Sequence, residues 1–238
     1  MNKIIRITLW NPLKYILSIF PAKITLFIKL NVINFLSYFG FSNSQNRMDK
    51  SIINFFNFKK NGVCLEVGAA DGIDQSNSLL LERLYNWEVY LVEPTKSQFE
   101  LCKTFRGKSN LNKFAFVSED TFKKSQTIEI SLNTLMSTID LQENDVLSQK
   151  KENVEVVPTI TLDKFIHQNE ISTLDILILD VEGYEIEVLE GYQNSIGTIK
   201  YLLVETWDFE KFNTYANHRD WKFIKNIGSD YLYDLNTT

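Results

Sequence analysis

Residues that usually build disulfide frameworks, metal centres or rigid linkers are scarce here: 238 residues hold two cysteines, two histidines and four prolines. Cys64 and Cys102 form no CxxC pair and no Cys/His cluster, which excludes a disulfide framework and a structural zinc site. Such usage fits a reducing compartment, and the expected location is the cytoplasm. With nine glycines and four prolines there is no low-complexity linker, and no internal repeat is present. A long uninterrupted apolar run is missing too. The stretch between Lys14 and Lys23 is eight residues and contains Pro21, whereas a membrane-spanning helix needs about 20 apolar residues. Basic residues recur through the first 30 positions, so the pattern is not that of a signal peptide either.

Acidic charge is nearly absent from one part of the chain. Residues 1–60 carry nine basic side chains against Asp49 alone, and the remainder carries 16 basic against 29 acidic. The acidic body argues against a nucleic-acid partner, whose phosphates require cationic tracks. The arm, "IIRITLWNPLKYILSIFPAKITLFIKLNVINFLSYFGF", is both basic and apolar. Three arrangements suit it: helices packed on the body, an interfacial anchor on the cytoplasmic face of a membrane through residues 1–45, or a span with snorkelling lysines. Between Pro21 and Gly40 a helical projection gives no clean polar stripe.

What is present from residue 61 onward is alternation of strand and helix patterns. "GVCLEV" (62–67), "EVYLVEP" (88–94), "LNKFAFVSED" (111–120), "TLDILILDVEG" (173–183) and "IKYLLVET" (199–206) read as strands. Helical spacing appears over 76–86, 96–105, 162–168 and 184–192. "TIEISL" (127–132) and "VEVVPTITL" (154–162) read as strands or a hairpin, and 221–235 as a hairpin turning at Gly228. The expected fold is a doubly wound α/β sheet of seven strands, Rossmann-like, with a carboxyl-terminal antiparallel hairpin. The expected organisation is an arm with lead-in helix over 1–60 and a catalytic domain over 61–238.

The ligand is read from "EVGAADG" (66–72). A dinucleotide fold would place GxGxxG there, and that motif is missing. Glu66 at the strand end and Asp71 in the turn would repel a pyrophosphate. Two unit charges about 4 Å apart interact by about 4 kcal/mol at an effective dielectric of ~20, enough to favour a cationic, phosphate-free nucleoside. S-adenosylmethionine is such a ligand. Gly68, Ala70 and Gly72 let the backbone approach it, and Glu93 ends the second strand where an acid accepts ribose hydroxyls. Ser118 and Glu119 follow the third strand, where an adenine edge would lie.

At this point the chain resembles the FkbM family of S-adenosylmethionine-dependent methyltransferases. The resemblance lies in "VCLEVGAADGIDQSNSLLLER", "WEVYLVEP", "FAFVSED", "VPTITLDKF", "LDILILDVEGYEIEVLEG" and "IKYLLVET", in that order across about residues 61–206, with "SQNRMDKSI" (44–52) like a family lead-in. It implies methyl transfer, usually to a hydroxyl of a sugar, polyketide or similar product. Asp180 ends the fourth strand and is the expected base or orienting carboxylate and donor contact. Glu182, two residues on, shares its side in an extended chain. Glu205, Trp207 and His218 are the expected acceptor contacts, with Tyr184 and Tyr192 as further stacking walls and His167 on the surface. Asp180, Glu182 and Glu205 together could hold Mg²⁺, but no metal is expected. The expected acceptor is a small molecule, a glycan or a lipid-linked sugar. Two other functions share the sheet: a nicotinamide or nucleotide-sugar enzyme, and a non-catalytic binding module attached to a partner or membrane.

Overall fold

The computed structural model describes residues 21–132, 138–139, 154–193 and 197–236. Residues 1–20 of the arm, and with them part of the expected membrane contact, lie outside the described residues. Along the chain, α1 (Ala22–Ser37) and α2 (Met48–Phe55) precede β1 (Val63–Val67), α3 (Leu79–Tyr85), β2 (Glu88–Val92), α4 (Lys96–Arg106), β3 (Asn110–Asn112) and β4 (Ala115–Phe116). A middle section follows: α5 (Glu119–Lys124), β5 (Thr127–Ser131), β6 (Thr138–Ile139), β7 (Val154–Ile160) and α6 (Leu162–Gln168). The last third holds β8 (Thr173–Leu179), α7 (Glu185–Leu189), β9 (Thr198–Val204), α8 (Phe209–His218), β10 (Lys222–Ile227) and β11 (Asp230–Asp234).

Seven strands form one sheet in the order β10-β11-β9-β8-β1-β2-β3. β3, β2, β1, β8 and β9 run parallel, and β11 and β10 are antiparallel additions. The chain winds outward from β1 to β3, then returns on the other flank of β1 as β8. The strand order therefore reverses between β1 and β8, and a crevice opens beyond their carboxyl ends.

Period-two alternation explains why both faces are covered. Leu65, Val67, Leu177, Leu179, Leu202 and Val204 turn to one face, under Phe165 and Ile166 of α6, Val188 and Leu189 of α7, and Phe212 and Ala216 of α8. Cys64, Val89, Leu91, Ile176, Ile178 and Leu203 turn to the other, under Met48, Ile52 and Ile53 of α2 and Leu80 and Leu81 of α3. Thus α2 covers the sheet even though it precedes residue 61. Cys64 and Cys102 are buried and free, packed in this second layer.

Two strand and helix boundaries differ from the sequence reading. The single strand expected over 111–120 is split. Asn110–Asn112 pairs with β2, but the chain leaves the sheet edge at Lys113, whose ammonium meets Glu155 at 2.8 Å, and Ala115–Phe116 pairs with β7 in a second sheet of order β4-β7-β5-β6. Phe114 and Phe116 follow Phe165 (ring centroids at 5.7 and 5.4 Å), so packing draws the chain across. The helix expected from 76 starts at Leu79, because Ser76, Asn77 and Ser78 are spent on hydrogen bonds to Glu66.

Candidate active site

The crevice begins where β1 ends. Val92 O accepts from Gly68 N at 3.0 Å and Ala69 N at 3.1 Å, and Val67 O accepts from Asp180 N at 3.2 Å. These bonds bind the ends of β1, β2 and β8 together. Gly68 adopts φ +84°, and a Cβ there would sit 1.9 Å from the Asp180 carbonyl oxygen. Any side chain would force the strands apart. Ala70 is also left-handed (φ 47°), which aims its N–H at Glu93 Oε2, 3.0 Å away.

Glu93 is 5% exposed and lines the cleft. Its Oε1 accepts from the N–H of Thr95 at 2.8 Å and from the Thr95 hydroxyl at 2.5 Å, leaving one lone pair of Oε2 free for a ligand hydroxyl. Burial pushes its carboxyl above the ordinary range, offset by the bonds from Thr95 and Ala70. Beside it, Val92, Phe114, Ala115, Phe116, Ile130 and Val188 make an apolar wall. Tyr184 closes that wall, and its buried hydroxyl has no hydrogen-bond partner among the described residues. Burial and the nearby Glu187 charge raise that phenol's pKa, so it stays a donor.

Glu66, Asp71 and Gly72 do not line the cleft, contrary to the sequence reading. Glu66 accepts from Asn77 N at 2.8 Å and from the Ser76 and Ser78 hydroxyls. Those serines also accept from buried Arg106, which bonds Gly72 O at 2.8 Å and pairs with Glu82 at 2.8 Å. Asp71 accepts from Ile73 N and Asp74 N at 2.9 and 2.8 Å, holding the turn in shape. The two acids expected to set the sign of the pocket are thus consumed in the fold behind it. The acidic side chains facing the cleft are Glu93, Asp180 and Glu182.

Asp180 follows β8 at the reversal of strand order. Burial, together with the charges of Glu205, Glu182 and Asp230, pushes its carboxyl to about 8, and it shares a hydrogen bond with Glu205. Burial, then the Glu205 charge, raises Glu182. Asp230, 1% exposed, is pushed up to about 6, mainly by burial. Glu182 reaches the cleft by a left-handed turn (φ 55°), not by the strand alternation expected, because β8 has ended at Leu179. Among the described residues no group of three or more His, Cys, Asp or Glu side chains is gathered to hold a metal ion.

The remaining expected residues divide cleanly. Trp207 is 68% exposed beside the Gly183 backbone, 3.4 Å from where a Cβ would be. It follows the end of β9 by three residues and Glu205 follows it by one, both off the carboxyl end of that strand. Ser118 caps α5 and gives its hydroxyl to Glu187 at 2.6 Å, while Glu119 is paired with Lys123 at 3.8 Å; neither lines the cleft. His218 is exposed at the far end of α8. A ten-residue helix is about 15 Å long and carries it away from Trp207 toward the opposite edge. Tyr192 is 3% exposed, and its hydroxyl bonds Gly197 O at 3.2 Å and Ile199 N at 3.0 Å, making it a core residue instead of a stacking wall. His167 is exposed on α6.

Sequence reasoning missed Thr95, Phe114, Phe116, Ile130 and Arg106. Arg106 carried a signal: it lies one helical turn after Cys102 on the apolar side of α4.

A family model described as the methyltransferase FkbM domain matches residues 66–233. No curated protein matches the chain. Among solved structures, a precorrin-6y C5,15-methyltransferase from Geobacter metallireducens is similar over 79% of this chain and 87% of its own, at 11% identity and a TM-score of 0.41. An S-adenosylmethionine-dependent methyltransferase from Aquifex aeolicus aligns over 80% and 91%, at 10% identity and a TM-score of 0.42. A methyltransferase from Pyrococcus furiosus aligns over 80% and 84%, at 15% identity and a TM-score of 0.38.

Proposed function

Given that the chain belongs to the FkbM family of methyltransferases, we propose that it methylates a hydroxyl oxygen of a sugar or glycan. The methyl donor is S-adenosylmethionine, and the cleft suits it. Gly68 lets the ends of β1 and β8 close up at the cleft floor, Glu93 keeps an acceptor for ribose, and the apolar wall with the Tyr184 hydroxyl suits a base. This ligand supplies an electrophilic methyl on a positively charged sulfur. The described lining holds Glu93, Asp180 and Glu182 and no lysine or arginine, which suits that charge and offers a diphosphate no cation.

The observation that carries the hydroxyl reading is Asp180, a half-buried carboxyl pushed up to about 8 next to the reversal of strand order. An attacking hydroxyl has to lose its proton, and a base is most effective when its pKa is close to the working pH. The neighbouring Glu205 is one of the acids that raise the Asp180 carboxyl, which makes it basic enough to take that proton. Because a carboxylate near sulfur would stabilise the ground state more than the transition state, Asp180 helps only through the acceptor oxygen. Glu182 and Glu205 then orient acceptor hydroxyls, and the exposed Trp207 ring gives a face on which the C–H side of a sugar can rest.

The test is purified protein with methyl-labelled donor offered to glycan and small-sugar fractions. Label released as base-stable methyl ether supports the reading. Label found only on nitrogen, or on protein, would replace it with a different acceptor class. Donor binding without any turnover would favour a non-catalytic module.

A further inference from the structure

From the arm we infer a second function for this chain: α1 and the turn after it form a docking surface for an anionic lipid membrane. The 16 residues of α1 are apolar on nearly every side, a pattern that calls for cover all round. The chain covers one side only. Leu30 and Ile33 are buried against Ile73 and Leu79, with Leu101 and Phe105 alongside. The rest faces outward: Phe27 is 51% exposed, Phe35 63%, Tyr38 54% and Phe39 66%, with Ile24, Leu26 and Phe41 beside them in sequence. A soluble surface scatters such residues singly; seven within 18 positions form a patch.

Charge identifies the occupant. The sole acid of residues 1–60, Asp49, is 1% exposed and accepts from the Ser42 hydroxyl at 2.6 Å. Every exposed charged side chain described in residues 21–60 is therefore positive, including Lys23 next to the patch and Arg47 and Lys50 beyond it. Phe27 also meets Phe105 of α4 (centroids 5.9 Å), and exposed Lys103 and Lys108 flank Phe105 in the sequence. Apolar insertion with cations around it is the chemistry of an interfacial helix on anionic headgroups. A second copy of the chain would bring the same positive charges together, which disfavours it as the occupant. The described helices do not cross a membrane, since none is long and apolar enough.

The arm is tied to the loop at the carboxyl end of β1. Lys29 pairs with Asp74, Asn43 Nδ2 donates to Asp74 at 2.7 Å, and Ser44 bridges Gln75. Asp74 and Gln75 belong to the loop that leaves the carboxyl end of β1, beside Gly68.

The full chain is sedimented with phosphatidylcholine vesicles, with and without phosphatidylglycerol, and weighed by light scattering without lipid. Binding to the anionic vesicles, weaker with added salt and reduced about tenfold per residue in Phe35→Ser and Phe39→Ser at unchanged melting temperature, supports the inference. Lys23→Glu, which leaves the apolar face intact, should also weaken binding to the anionic vesicles. Absence of binding, equal binding to neutral vesicles, or a dimer that Phe35→Ser dissociates without altering vesicle binding would overturn it.

Discussion

Replacing Asp180 with Asn should make the protein more stable and less active, and the size of the gain should depend on pH in a calculable way. In the folded chain the carboxyl is pushed from its ordinary 3.8 to about 8 by burial and by three neighbouring acids. A group whose folded pKa is raised contributes stability that is complete below the unfolded pKa and is lost as pH rises through the folded pKa. The loss runs from about pH 4 to pH 8, at up to about 1.4 kcal/mol per pH unit for one proton. An isolated group would thus cost about 4 kcal/mol at pH 7 relative to pH 3, by the same linkage. Asp180 is only half-buried, so solvent screening makes about 4 kcal/mol an upper value. Asn has no proton to lose. Urea unfolding of Asp180→Asn and the parent at pH 5, 6, 7 and 8 should give a stability difference that widens steadily, with other titrations cancelling. A difference flat to within about 0.5 kcal/mol across that range would refute the raised Asp180 carboxyl. The same variant should lose at least about 100-fold in turnover while binding S-adenosylhomocysteine within a few-fold of the parent, because general-base catalysis contributes about 10²–10⁴-fold.

Four further outcomes follow from the cleft. The parent's turnover should rise with pH through about 8 if Asp180 acts as base, since only its ionised form accepts the proton; a pH–rate profile flat from 6 to 9 argues against it. Glu93→Ala should weaken S-adenosylhomocysteine binding about 10- to 100-fold in calorimetry, from the loss of charge-assisted hydrogen bonds and of the anchor for Ala70. Tyr184→Phe removes a buried hydroxyl that has no partner among the described residues, so it should leave stability equal or higher by about 1 kcal/mol while weakening donor binding severalfold. Trp207→Ala should shift stability by under about 0.5 kcal/mol, raise the acceptor KM about tenfold and leave donor binding unchanged; a raised donor Kd would place the ring elsewhere.

The sheet was legible because buried strands write themselves plainly: "VCLEV", "EVYLV" and "ILIL" are apolar runs stopped by turn residues, and each became a strand. The strand-end residues followed from the same reading, since Gly68, Glu93 and Asp180 are fixed by where a strand stops. The small sheet was only half visible. Phe114 and Phe116 alternate as a strand does, and nothing local says that Phe165 will pull them off the sheet edge. His218 and Tyr192 were assigned by residue type near helix ends, and their distance from the crevice depends on helix length and packing direction, which local pattern does not encode.

Glu66 and Asp71 show a subtler limit. Sequence places charge near a ligand but does not say whether that charge is still free after folding. Here Arg106, 40 residues after Glu66, organises Ser76 and Ser78, and through them the Glu66 carboxylate, at almost no exposure. The electrostatic preference for a cationic nucleoside survives only because Asp180 and Glu182 face the cleft without a comparable basic partner among the described ion pairs. Acids tied into a basic network hold backbone, whereas acids crowded against other acids hold protons. Whether an acid shapes the turn or can work on an acceptor is therefore set by the company its carboxyl keeps, and in this chain Arg106 and Glu205 draw that line.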